Sequence, residues 1–316
     1  MQELIVISGK GGTGKTSVVA SLAALADHAV LVDCDVEAPD LHLLLAPELQ
    51  SSEDFVGGRT AYLRWSECIG CGRCAELCRF GAIQPLGPGN RFAEHTYVVH
   101  PLACEGCNLC AEICPARAIE MVPSVCGQWF RSQTRHGPLI HARLRPGRGN
   151  SGKLVTLLRK EARALAAENG HTLIIGDGVP GVGCPVIASV GGATLVLIVV
   201  EPSVSGLHDF ERAADLTAHF SVPTVICVNK HDVAPALTER IEATARARGL
   251  DLVGQIPYDD SVVAAQMQAR SLIEHSDGPA SQAVRTLWNN LQCRLAALRG
   301  EQQPATPGAN GQKECP

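Results

Sequence analysis

Eight of the chain's 14 cysteines fall in two runs of the form C-x2-C-x2-C-x3-C: Cys68, Cys71, Cys74 and Cys78, then Cys104, Cys107, Cys110 and Cys114. Each member of the first run has a counterpart 36 residues later. Thiolates are soft ligands suited to iron-sulfur sites, and so tight a run can wrap one cubane. A pair of structural zinc sites is the competing reading, but zinc modules usually separate two C-x2-C pairs by a longer loop. A second signal lies near the start, in ISGKGGTGKTS (residues 7–17). Gly11, Gly12 and Gly14, with Thr13 between them, let successive amides point at one spot, and Lys15, Thr16 and Ser17 open a helix whose amino end favours anions. In such a loop the lysine meets the β and γ phosphates of a nucleotide and the Thr16 hydroxyl binds magnesium.

The elements around these residues are legible in outline. ELIVIS (3–8) is a short apolar run that ends at the glycines, and KTSVVASLAALAD after it has helical spacing. Further strands are expected at 29–33, 171–177, 193–200, 222–229 and 251–257, and helices at 153–168, 206–219, 235–249 and 280–298. Most of the strand runs are apolar throughout, as expected where helices cover both faces of a sheet. The fold class is α/β, a doubly wound, mostly parallel sheet. Residues 59–121 break the pattern with their cysteines and internal repeat, and read as an inserted small α+β domain. The main domain is then discontinuous, 1–58 and 122–299, with linkers near 50–58 and 122–150. The tail 300–316 has the Pro/Gly-rich, polar composition of disorder.

With a hydrophobic fraction of 46% the chain can bury a normal core. Its formal net charge of -5 lacks the basic footprint of a nucleic-acid binder. No signal-type segment opens the sequence, and no apolar run reaches the roughly 18 residues of a membrane span. A cytoplasmic protein with no nucleic-acid or membrane partner is expected, which again favours metal over disulfides for the cysteines.

KGGTGKT, with Lys10 at its start, resembles the deviant Walker A motif of the MinD, ParA and nitrogenase iron-protein group. That resemblance implies a nucleotide-sandwich dimer in which Lys10 reaches the partner's ATP. DCDVEAPDL (33–41) resembles the first switch of this group, with Asp35 placed to orient the attacking water or the magnesium shell. DGVPGVGCP (177–185) resembles the second, with Asp177 holding magnesium through water. An aspartate at a strand end is often only a cap or turn residue. NKHD (229–232) resembles a base-reading motif: with ATP, Asn229 pairs to adenine, whereas with GTP the Asp232 carboxylate accepts from guanine. ATP is the favoured nucleotide because the deviant loop belongs mostly to ATPases.

The cysteine runs match the bacterial two-cluster ferredoxin pattern, in which the fourth cysteine of each run crosses to the other cluster. One [4Fe-4S] cluster then uses Cys68, Cys71, Cys74 and Cys114, and the other Cys104, Cys107, Cys110 and Cys78. Arg79 stands where the pattern has proline after Cys78, which is expected to alter a turn. Of the remaining cysteines, Cys34, Cys227 and Cys293 read as small buried hydrophobes, and Cys184 lies in the second-switch segment, where a dimer would place it near its twofold axis. The terminal helix is expected to pack on the sheet.

As a whole the sequence resembles the MinD-superfamily P-loop ATPases that carry an inserted ferredoxin domain, over residues 1 to about 298. SGKLV (151–155) and EPSVSGLHD (201–209) belong to the same resemblance. It implies ATP hydrolysis, magnesium and two 4Fe-4S clusters. The implied partners are a second copy or a related ATPase, a small metallocofactor-binding protein, and an electron donor or acceptor. Three functions follow: ATP-gated electron transfer, iron-sulfur scaffolding or carriage, and a positioning ATPase or GTPase with a redox-sensing insert.

Overall fold

The structure is a computed structural model that describes residues 1–147 and 149–302. Eleven strands are found among these residues: β1 (Gln2–Ser8), β2 (Ala29–Asp33), β3 (Glu48–Leu63), β4 (Ile83–Gly87), β5 (Thr96–Val99), β6 (Ile119–Thr134), β7 (Gly137–Leu144), β8 (Leu173–Pro180), β9 (Leu195–Val200), β10 (Thr224–Asn229) and β11 (Asp251–Ile256). Nine of them form one sheet in the order β11-β10-β9-β1-β8-β2-β7-β6-β3, and β4 and β5 pair separately. The pairs from β11 through to β7 are all parallel. Crossovers through helices bury both faces, so the central strands are mostly apolar on both sides, β9 throughout, with buried polar exceptions such as Glu3 in β1, Asp33 in β2 and Asp177 in β8. Leu4, Val6, Leu31, Ile175 and Leu197 pack with Val18, Val19 and Leu22 of the helix Lys15–Leu25 and with Leu287 and Leu291 of the helix Pro279–Gln302. The alternate residues Ile5, Ile7, Val30, Ile174 and Val196 are equally buried. Helices Ser151–Glu168, Cys184–Val190 and Val204–His219 touch β1, β2, β8 and β9. Each such aliphatic side chain contributes on the order of 2 kcal/mol.

The expected linkers at 50–58 and 122–150 are instead largely strand, in β3, β6 and β7. Their pattern hid them for a physical reason. The first seven residues of β3 are all exposed, and several inward positions of β6 are small or polar, Ser124, Cys126, Ser132 and Thr134, so neither shows an aliphatic period of two. Arg135 and His136 alone join β6 to β7, a two-residue hairpin that Thr134 closes by donating from Oγ1 to the Gly137 carbonyl (2.7 Å).

Two compact units make up the chain. Among the described residues one comprises 1–52, 129–143 and 151–302, and the other 53–128 with 144–150. The second is wider than the expected insert because β3 and β6 continue past its ends. Within it the 36-residue repeat is structural. Short helices Arg73–Glu76 and Leu109–Glu112 correspond, and left-handed backbone recurs at Gly70 and Gly106, Gly72 and Asn108, and Gly81 and Arg117. Ala61, Leu63, Ile83, Ala118 and Ile119 form its small core together with Cys68 and Cys74. The last helix runs through residue 302, so 300–302 are helical and not tail, and the rest of the expected disordered tail lies outside the described residues. The packing of this helix through Val284, Leu287, Trp288, Leu291 and Leu295 matches expectation. Among the described residues no helix is long and apolar enough to cross a membrane.

Candidate functional site

The loop between β1 and the helix Lys15–Leu25 is bent by left-handed backbone at Gly12 (φ 81°) and Gly14 (φ 88°), and a Cβ on Gly14 would run into the Asn229 side-chain amide. Gly14 caps the helix without a side chain, and the first turn has no acid. The helix amides and its positive end are therefore left for an anion. Thr13 is buried and its Oγ1 has no partner among the described residues, an orphaned polar atom in the loop. Donors, glycines and orphan together fit a nucleotide phosphate chain.

Lys15, 7% exposed, forms an ion pair with Asp177, 1% exposed, and Thr16 donates from Oγ1 to the other Asp177 oxygen at 2.7 Å. Burial works to lower the Lys15 pKa, but the Asp177 carboxylate outweighs it and the net direction is up. Asp35 lies close enough to feel Lys15. Burial raises its pKa, Lys15 opposes this, and the net direction is again up. Sequence reasoning missed Asp33. It is fully buried, and its Oδ1 accepts from the Asp35 amide (3.0 Å) while its Oδ2 accepts from the Leu41 amide (3.2 Å). One side chain thus clamps both ends of the segment that carries Asp35. Burial first and the nearby Asp177 second push the Asp33 pKa well up. The available signal was its place as the last residue of a buried strand.

Lys10 lies within its own chain's loop region, its Nζ 2.5 Å from Glu201 and 3.0 Å from the hydroxyls of both Ser203 and Ser205. Lys230 shares Glu201 at 3.4 Å and donates to the Gly12 carbonyl at 3.3 Å. Burial raises the Glu201 pKa, but the two lysines outweigh it and hold it below the usual carboxylate value.

Asn229 donates from Nδ2 to the Thr13 carbonyl (2.7 Å), bracing the phosphate loop. Asp232 accepts the Tyr258 amide on Oδ1 (2.7 Å). A 370 Å³ cavity beside the loop is walled by Gly12, Gly14, Ser17 and Asn229 on one side and by Pro257, Tyr258, Asp259, Val262 and Val263 on the other. Gln266 spans the two by donating to Ser17 Oγ (2.7 Å). The segment 257–266 was not foreseen as part of the site. It follows the carboxyl end of β11, and in an open parallel sheet ligands bind beyond those ends.

In the cysteine-rich unit the two runs are interleaved. Cys68, Cys71, Cys74 and Cys114 line one cavity, and Cys78, Cys104, Cys107 and Cys110 line another of 270 Å³, which Cys74 also borders. The fourth cysteine of each run has crossed. Burial, foremost, and the thiols of Cys68, Cys71 and Cys114 push Cys74 up to about 11. Burial and its neighbours Cys104 and Cys107 raise Cys110 likewise. Crowded thiols of this kind become thiolates only against a cationic metal centre, and the Ala118 amide already donates to Cys114 Sγ (3.3 Å). These donor sets fit iron-sulfur clusters. Arg79 alters no turn, contrary to expectation: the Gly81 amide bonds to the Cys78 carbonyl just as the Arg117 amide bonds to that of Cys114. That bond comes from the amide three residues on and does not need proline.

Cys34 and Cys227 are fully buried, whereas Cys293 is only half-buried because its helix turns that face partly outward. Cys184 is exposed at the start of the helix Cys184–Val190.

Comparison with known proteins agrees with this geometry. Residues 61–121 match the 4Fe-4S dicluster domain family. An uncharacterized protein of Methanocaldococcus jannaschii, MJ0578, is 34% identical over 233 residues, which cover 73% of this chain and 78% of the relative. The chain belongs to the family of that protein. Among solved structures, the septum site-determining protein MinD complexed with Mg-ADP from Pyrococcus horikoshii aligns with a TM-score of 0.55 at 15% identity, covering 94% of this chain and 98% of MinD. A ParA family ATPase from Chlorobium tepidum aligns with a TM-score of 0.51 at 16% identity, covering 90% and 96%. At such identities the likeness concerns the fold. This family member therefore has the MinD/ParA-type P-loop fold with an inserted 4Fe-4S ferredoxin-type domain.

Proposed function

We propose that this protein binds and hydrolyses ATP and couples that nucleotide switch to electron transfer for a metallocofactor or iron-sulfur partner, in its reduction or its assembly. The observation that carries the reading is the convergence of Lys15 and Thr16 on Asp177. Whatever engages the lysine and the threonine is felt at once by the chain that follows the carboxylate, and such order or position changes are how switch segments work. Lys15 and the helix amides would hold the phosphates. Thr16, Asp177 and Asp35 would surround magnesium, with Asp35 also placed to orient water by the Asp33 clamp. In phosphoryl transfer the protein mainly positions groups and stabilises charge. ATP is preferred to GTP because the deviant loop with Lys10 belongs mostly to ATPases; of the Asp232 carboxylate, Oδ1 accepts the Tyr258 amide.

Two [4Fe-4S] clusters, held by Cys68, Cys71, Cys74 and Cys114 and by Cys104, Cys107, Cys110 and Cys78, would supply one-electron storage. The exposed edges at Cys71 and Cys107 give an electron donor or acceptor protein a short approach. Lys10 suits a dimer with a second copy or a related ATPase, once it leaves Glu201. Exposed Cys184 favours a second reading, a cluster scaffold or carrier that passes a labile cluster to an apo-protein.

The test is an anaerobic, EPR-monitored redox titration with and without a magnesium-bound non-hydrolysable ATP analogue. A potential shift of about 59 mV marks a tenfold difference in nucleotide affinity between oxidised and reduced forms. Such a shift supports coupling; identical curves with analogue bound would move the function toward the scaffold.

A further inference from the structure

Arg159, on the helix Ser151–Glu168, is 5% exposed and has no place in the site described above. Two of its nitrogens form a fork on Glu3 in β1, Nε to Oε1 at 2.7 Å and Nη2 to Oε2 at 2.8 Å. Arg163 adds a further contact to the same carboxylate, so the buried Glu3 charge is paired from two sides. The remaining nitrogen, Nη1, donates to the carbonyls of Ala188 (2.7 Å) and Gly191 (2.8 Å). Those carbonyls belong to the carboxyl end of the helix Cys184–Val190, where backbone acceptors lack intrahelical partners and a cation is favoured.

The opposite end of that helix is built differently. Asp177, Gly181 with φ 95° and Gly183 precede it, and its first residue, Cys184, is exposed. One end is held by a buried, charge-assisted fork; the other, joined to Asp177 through glycines, is tied back by the weaker, neutral bond of the Gly181 amide to the Ser8 carbonyl (2.9 Å).

We infer that Arg159 is a positioning residue for the second switch: it fixes the carboxyl end of helix 184–190, so that a change at Asp177 displaces residues 181–186 and leaves 188–192 in place. A helix anchored at one end can only swing about that end, and Cys184 then moves farthest. This rests on the nucleotide reading of Lys15 and Asp177.

The test uses the full chain with its clusters, anaerobically. N-ethylmaleimide labelling of Cys184 is followed by peptide mass spectrometry, with and without magnesium and the non-hydrolysable ATP analogue, whose affinity is measured by calorimetry. In the native protein the analogue is expected to change the labelling rate about fivefold or more. Arg159→Lys keeps a charge for Glu3 but cannot span both carbonyls. It is expected to bind the analogue within about twofold of native while its labelling ratio falls toward one. Glu3→Gln, which leaves both carbonyl bonds in place, is expected to keep the native ratio. An unchanged ratio in Arg159→Lys overturns the inference, as does a native ratio of one with analogue bound. Failure of the native protein to bind the analogue overturns the nucleotide reading and this inference together. Should Arg159→Lys not fold, amide hydrogen exchange on the native protein decides: protection changing at 181–186 but not at 188–192 supports the pivot, and equal change at both ends overturns it.

Discussion

Lys10 and Glu201 are bound to each other, Nζ to carboxylate at 2.5 Å, with Ser203 and Ser205 completing the cage. A lysine held this way within one chain must break three contacts before it can serve a neighbouring one. A partly exposed pair of this type is worth about 1 kcal/mol, so Glu201→Gln is expected to strengthen ATP-dependent self-association by about fivefold. Lys10→Ala is expected to bind nucleotide but to lose both association and hydrolysis. Sedimentation velocity with and without the analogue checks both variants, and Lys10→Ala with native turnover would refute a role across a dimer.

The Asp33 clamp predicts a separation of binding from turnover. Asp33→Asn places an amide NH2 against one of two backbone donors, at a cost of about 1–3 kcal/mol locally. The segment 35–41 loosens while Lys15, Thr16 and the loop amides are untouched. Nucleotide affinity is therefore expected to stay within about threefold of native while hydrolysis falls about tenfold or more. Calorimetry and a phosphate-release assay measure the two effects; a loss of affinity equal to the loss of turnover would place Asp33 in nucleotide binding instead.

Crossing of the fourth cysteines has a direct chemical consequence. Cys114→Ser is expected to damage the site that contains Cys68, Cys71 and Cys74, and Cys78→Ser the one that contains Cys104, Cys107 and Cys110, each lowering bound iron by about half. Iron analysis with EPR distinguishes this from the uncrossed alternative. If Cys114→Ser instead perturbed the same spectral component as Cys107→Ser, the crossing would be wrong.

How much of this was legible in the sequence depended on the kind of signal. Glycine spacing and strand-then-helix order announced the phosphate loop, because a tight turn needs glycine at positions such as Gly12 and Gly14. The cysteine repeat was equally plain, since ligand identity cannot vary freely. Strands β3 and β6 were not legible: the first seven residues of β3 are exposed, and the inward positions of β6 include Ser124, Cys126 and Ser132, whose burial depends on tertiary partners and leaves no apolar period. Asp33, Glu201 and Arg159 were missed for a related reason. Their roles lie in contacts over 8, 191 and 156 residues of separation or less, made to backbone or to side chains that no local pattern relates.

His141 provides a test of the fold that is independent of nucleotide and clusters. Its ring stacks on His42 at 6.0 Å, lies 5.0 Å from Phe130, and bonds through Nε2 to Ser132 Oγ at 2.9 Å, with Arg143 nearby. Burial, then His42 and Arg143, depress its pKa to about 4. In the unfolded chain histidine titrates near 6.5, so between roughly pH 6.5 and 4 the unfolded state binds the proton and the folded state does not. Stability from this group is therefore complete above about pH 7, falls as pH drops through the unfolded value, and levels off below the folded one. After a discount for partial exposure, the loss between pH 7.5 and 5.5 comes to about 1 kcal/mol. His141→Phe, which keeps a ring against Phe130 and removes the proton acceptor, is expected to flatten that dependence even if it lowers stability overall. Urea unfolding at the two pH values measures the difference, and an equal loss in native and variant protein would mean that His141 takes up no proton on unfolding.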